Sequence, residues 1–209
     1  MRKLALSDEI LMQVDKAARY IGGEVNSVMK DKNKVDIRFA MCFPDVYEIG
    51  MSNLGMMILY NMFNEREDVW CERVFSPWMD LDKIMREEHI HLFALESQEP
   101  VKEFDFLGIT LGYEMCYTNV LQILDLSHIS LLAKDRKEDD PIVIGGGACA
   151  YNPEPIAEFF RYVFILVRVR LSMMLCLMYI RQPRQQADQE KISFFAASKS
   201  PQGSCSFFI

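Results

Sequence analysis

The chain has 209 residues, half of them hydrophobic, which is enough to bury a full core, and its formal net charge is -7. Residues 1–160 carry 16 Lys/Arg against 28 Asp/Glu, whereas residues 161–209 carry 7 against 2, and such an acidic main body excludes a nucleic-acid backbone as the expected partner. Six cysteines with no C-x-x-C pair or zinc spacing, and no signal peptide before them, point to reduced thiols in the cytoplasm.

In chain order, Ser7, Asp8 and Glu9 precede Ile10, Leu11, Val14 and Ala17, the pattern of a capped amphipathic helix, so residues 1–34 are expected to form a helical appendage. Residues 35–43 read as the first core strand, which runs into Pro44, Asp45, Val46 and Tyr47. A helix is expected over 53–64, with Leu54, Met57, Ile58, Tyr60 and Phe63 on its apolar side. Residues 69–75 alternate as a second strand, and 80–88 form the next helix. Residues 91–96 read as a short third strand, 104–111 as a central fourth, 117–126 as a helix and 141–144 as a fifth strand, with a further helix beginning at Glu154. Strands alternating with helices at this spacing predict an α/β fold: a flavodoxin-like, Rossmann-like open parallel sheet over 35–160 with helices on both faces. No internal repeat and no low-complexity segment is visible.

The fifth strand pours directly into Gly145, Gly146 and Gly147 and then a turn flanked by Pro153 and Pro155. Three glycines after a parallel strand suit a backbone bared to a ligand, and they also suit a tight strand-to-helix turn. The first strand's exit pairs with this loop, because open parallel sheets bind ligands beyond the carboxyl ends of their strands. There Asp45, Tyr47, Gly50 and Ser52 serve equally well as ligand contacts or as a helix entry, with Ser52 or Asn53 as the cap. Thr110 ends the central strand at the same crevice, with Tyr113, Tyr117 and Asn119 just beyond.

Other constellations read as structural. His89 and His91 lie beside Glu87 and Glu88, which suits a solvated helix end better than a metal site, and His128 near Asp125 suits a helix carboxyl end. The methionines read as core filler and Cys149 as a small buried residue. No serine, cysteine or histidine has the neighbours of a nucleophilic triad.

After Phe160 the order breaks. Residues 162–180 are nearly all apolar but contain Arg168 and Arg170, each costing roughly 2.5 to 3.5 kcal/mol at mid-bilayer, so no membrane span is assigned. The whole stretch 161–209 reads as an aberrant, poorly ordered tail produced by a reading-frame change. Methionine has one codon, so decoding from the third base makes Met173 followed by Met174 yield aspartate. Permissible codons for 165–174 then read Ile-Gly-Glu-Gly-Glu-Val-Val-Tyr-Asp.

Asp45 through Asn53 resembles the D-x-H-x-x-G signature of cobalamin-binding flavodoxin-like domains, with Tyr47 in the histidine's place. The glycine exit followed by Asn152, Pro153, Glu154 and Pro155 is similar to the second loop of the cobalamin-binding-like domain in front of many radical SAM enzymes. Together with Arg19–Ser27, Cys42–Asp45 and Trp70–Phe75, these segments resemble the N-terminus of an uncharacterised radical SAM iron-sulfur family over about residues 5–160.

The resemblance implies a cobalamin-binding-type domain that caps or shapes a radical SAM active site and takes a corrinoid or the substrate. Asp45, Tyr47, Gly50, Ser52, Thr110, Gly145, Gly146 and Gly147 are the cofactor-binding candidates; no catalytic residue or metal ligand is assigned. A phenol of pKa about 10 is a poor cobalt ligand at neutral pH, which leaves two alternatives, cobalamin without a lower protein ligand or no cobalamin. SAM and the four-iron four-sulfur cluster belong to the following barrel, whose C-x-x-x-C-x-x-C triplet is missing from this chain, so the partner expected here is that barrel or its substrate. The rival reading is a noncatalytic α/β interaction module. A self-contained flavodoxin is disfavoured by the acidic loop after the first strand, where an anion would have to sit.

Overall fold

A computed structural model describes residues 4–164 and the strand Ser206–Phe208. Its centre is a parallel sheet built from β1 (Ile37–Phe43), β2 (Val69–Phe75), β3 (Phe106–Thr110), β4 (Ile142–Gly146) and β5 (Tyr162–Phe164), in the order β2-β1-β3-β4-β5. The backbone of β6 (Ser206–Phe208) continues the sheet in parallel beside β5. This is the flavodoxin-like order expected from the alternation of strands and helices.

The helices cover both faces. On one face α3 (Leu54–Asn64) packs Met56, Tyr60 and Phe63 against Ile37, Phe39, Met41, Val69 and Phe106. On the other, α4 (Met79–Glu87) and α5 (Tyr117–Leu126) bring Leu81, Met85, Val120, Ile123 and Leu124 onto Ala40, Cys42, Leu107, Ile109 and Val143. Both faces of β1 are therefore covered and all seven of its residues are buried, Arg38 included. Asn53 caps α3 as expected, its side-chain oxygen accepting from the Met56 N–H at 2.9 Å.

The N-terminal segment is shorter in helix and more deeply engaged than its sequence suggests. Ser7 caps only one turn, α1 (Asp8–Leu11), because the next backbone donors find other partners: the Asp15 N–H bonds Asp80 at 2.8 Å. Leu6, Val14 and Tyr20 are buried in the same core as α4 and α5. Further on, the strap 22–34 lies over α3 and β2, with Trp70 donating to the Val28 carbonyl and Val28 to the Tyr60 hydroxyl.

Residues 91–96 are not the expected third strand. They make an isolated antiparallel bridge, Phe93 with Pro100, and their backbone link to β2 is the bond from the Leu95 N–H to the Arg73 carbonyl. The outer edge of β2 is occupied by side chains instead. Asn64 both donates to and accepts from the backbone of Cys71, Glu96 takes the Arg73 N–H, and Lys30 takes the Val69 carbonyl. Every edge group so paired is withheld from another chain. Beyond β4, the expected helix at Glu154 is a 3-10 segment, Glu154–Phe159, in which Ile156 bonds back to Pro153. Among the described residues no helix is long and apolar enough to cross a membrane. The expected frame change and nearly all of the apolar run 162–180 fall outside the described residues.

Candidate functional site at the carboxyl edge of the sheet

From β1 the chain crosses to β2 on one side and, after β2, returns to β3 on the other. The strand order thus reverses between β1 and β3, which leaves a crevice beyond their carboxyl ends where open α/β sheets take their ligands. The loop after β1 carries Pro44, Asp45 and Val46. The loop after β3 carries Leu111 through Met115.

Asp45 stands at this crevice. Its backbone N–H donates to Phe43, its carbonyl accepts from Ser76, and its carboxylate accepts from the Val46 N–H. Across the crevice the Tyr113 hydroxyl donates to the same carboxylate, and Asn119 donates to the Pro44 carbonyl at 2.9 Å. This contact, followed by burial, pushes the Tyr113 phenol up to about 12, so it stays protonated as a donor.

Tyr47 turns the other way. It begins α2 (Tyr47–Met51), rests its ring edge-on against Phe75 of β2, and donates its hydroxyl to Glu24 at 3.1 Å. Burial, then the nearby Glu24 carboxylate, raises its pKa. Gly50 lies where Phe75 fills the space that a Cβ would take, so its role is to let α2 close onto β1 and β2. Ser52 donates to the Ile49 carbonyl at 2.8 Å on the exposed side of α2.

The glycine exit of β4 lies beyond β3, so β1 and β4 share the edge without being neighbours. Thr110 is half-buried and in register with Gly146. Gly147 has φ +131°, and a Cβ there would meet the Leu111 carbonyl oxygen at 2.5 Å. The Leu111 N–H donates to Gly146 at 2.6 Å, and the Cys149 N–H to Leu111 at 2.9 Å. The β4 exit thus clasps the β3 exit, a close backbone approach that at Gly147 only glycine permits.

For a corrinoid the fit is specific. The phenol of Tyr47 donates to Glu24 on the β2 side, so Tyr47 is not turned toward the crevice as a cobalt ligand would be. Among the described residues no group of three or more His, Cys, Asp or Glu is arranged to hold a metal ion. His91 stacks on His128 with ring centroids 4.0 Å apart at the opposite edge of the sheet, away from the crevice.

Sequence reasoning missed the surface around the crevice. The segment that follows each of β1–β4, loop or first helical turns, exposes large apolar side chains: Ile49 and Leu54 after β1, Trp78 and Met79 after β2, Tyr113 and Met115 after β3, and Tyr151 after β4. Leu54, Met79, Met115 and Tyr151 are each 72% exposed or more. The opposite edge is charged, with Asp31, Lys32 and Lys34 before β1, 65–68 before β2 and 134–140 before β4. The signal was present as large apolar residues soon after each strand exit, interspersed with acids such as Asp45, Asp80 and Glu114, but no single segment shows that they share one rim.

The fold defines an α/β domain of the flavodoxin-like class with exposed apolar side chains around the carboxyl edge of its sheet. The family described as radical SAM proteins, N-terminal, matches residues 55–198, more than half of the chain, and the chain belongs to that family. The match begins just after the Asp45–Asn53 loop. An uncharacterised protein of Methanocaldococcus jannaschii is 29% identical over 136 residues, which is 64% of this chain and 24% of that protein; the chain thus spans about a quarter of that relative's length. No solved structure matches significantly.

Proposed function

We propose that this radical SAM-associated domain is the cap of a larger protein, seated by the carboxyl edge of its sheet on the catalytic domain that supplies the cluster and SAM. The crevice between β1 and β3 then opens on the active site and receives the substrate or a corrinoid that brings no protein ligand to cobalt. The observation that carries this reading is that exposed apolar side chains follow each of the four strands β1–β4 at one edge of the sheet; others, such as Met12, Val25 and Met29, lie on the N-terminal segment. A single exposed apolar residue needs no explanation, but a rim of them marks a surface that another protein surface covers. Reading the encoding DNA past codon 209 in all frames tests it: a C-x-x-x-C-x-x-C triplet is expected, and a long open frame without one would remove the catalytic partner.

A second reading, a noncatalytic interaction module, has its own observation. The glycine exit is clasped to Leu111 and the crevice is bridged by Tyr113 and Asp45. Gly146→Val separates the two. If it abolishes docking while no small molecule shifts the Tm of the unaltered chain, the module reading stands.

A further inference from the structure

We infer that Asp45 and Tyr113 form a latch across the crevice between β1 and β3, one jaw fixed and the other hinged, which opens to an occupant that offers Asp45 a hydrogen-bond donor of its own. It rests on the reading of this crevice as the occupied site.

The fixed jaw is Asp45. Its N–H, its carbonyl and one carboxylate oxygen are held by Phe43, Ser76 and Val46, and the adjacent Pro44 carbonyl is held by Asn119. Tyr113 is the movable jaw. Its backbone precedes a three-residue 3-10 turn, Glu114–Cys116, and Met115 within that turn is 87% exposed. Leu111 anchors the start of this loop to Gly146 and Cys149, and within the turn the Cys116 N–H and thiol both donate to the Tyr113 carbonyl. Between them Gly112 has nothing within 4 Å of where a Cβ would stand. The turn 113–116, tied within itself by Cys116, can therefore move as a unit about Gly112 at the cost of the Tyr113–Asp45 hydrogen bond and the contact of the Cys116 thiol with the Gly112 backbone, while the acid stays in place. Opened, the crevice presents a carboxylate acceptor, which favours an N–H or O–H donor and disfavours an anion.

Hydrogen–deuterium exchange on the full chain tests the latch without any partner, so its failure leaves the capping role untouched. Tyr113→Phe keeps the ring and removes the donor, and exchange over 112–116 is expected to rise about tenfold while 44–46 stays unchanged. Gly112→Ala, which has room, is expected to slow the same segment severalfold. As a minimal donor probe, low-millimolar guanidinium chloride raises exchange over 112–116 in the unaltered chain relative to potassium chloride at equal ionic strength, and inorganic phosphate does not. Unchanged exchange in Tyr113→Phe overturns the latch. A response to phosphate equal to that to guanidinium overturns the donor preference.

Discussion

The guanidinium of Arg73 and the carboxylate of Glu96 meet at 2.6 Å with neither side chain exposed to solvent. The same carboxylate takes the Arg73 N–H, while the far end of the guanidinium reaches Ser27 at 2.9 Å and Asn26 at 3.2 Å and lies over the Tyr60 ring. Arg73 thus joins three segments distant in sequence: the strap, β2 and the crossing at 91–100. Burial raises the pKa of Glu96 against the pull of Arg73. Removing one partner leaves the other charged and buried, which costs about 3–5 kcal/mol. Arg73→Met should lower stability in urea by about that amount with the m-value unchanged. A loss below about 1 kcal/mol would mean that the strap is not held through this residue.

Gly50 offers a sharper steric test. A methyl group there runs into the Phe75 ring and Phe43, so Gly50→Ala should cost about 1–3 kcal/mol. Ser52→Ala, two residues on and exposed, should stay within about 0.5 kcal/mol. Equal effects at the two positions in a thermal melt would contradict the packing role assigned to Gly50.

His91 sets a pH dependence. Burial first, then His128 and Lys102, lower its pKa below the usual 6.5. The folded state therefore binds this proton less readily than the unfolded state. Its contribution is fully present above pH 6.5 and is lost as pH falls through the lowered folded value. His91→Gln should flatten the acid limb of stability between pH 7 and 5, measured by urea melts. An unchanged slope would show that folding does not lower the pKa of His91.

Tyr47 should be silent toward cobalt. If the full chain retains hydroxocobalamin, Tyr47→Phe should leave its absorption spectrum unaltered, since the phenol faces Glu24 and Phe75. A spectral change on that substitution would put Tyr47 at the corrinoid.

Much of the fold was legible because the signals were local. The mostly apolar run of β1, the Asn53 cap of α3 and the alternation at 69–75 each announce an element within one window. Residues 91–96 misled because Leu92, Phe93 and Leu95 look like a strand, while what decides their path is the Glu96 carboxylate plugging the Arg73 N–H across β2. Glu72 and Arg73 are buried among charges from 38, 24 and 96, partners that the local pattern of one strand does not reveal. At the crevice, Asp45 and Tyr113 were both singled out from sequence, but not as partners, because the residues between them span β2 and α4. Tyr47 read as a crevice residue on its spacing from Asp45; its partner Glu24 comes from a strap that looked like an appendage.

The capping role is tested most directly by hydrogen exchange on the longer polypeptide carrying this domain, compared with the domain alone. The account predicts protection gained over 47–54, 76–79, 112–116 and 148–152, the loops of the carboxyl edge, with 65–68 and 134–140 unchanged. Protection confined to those charged loops at the opposite edge would contradict it.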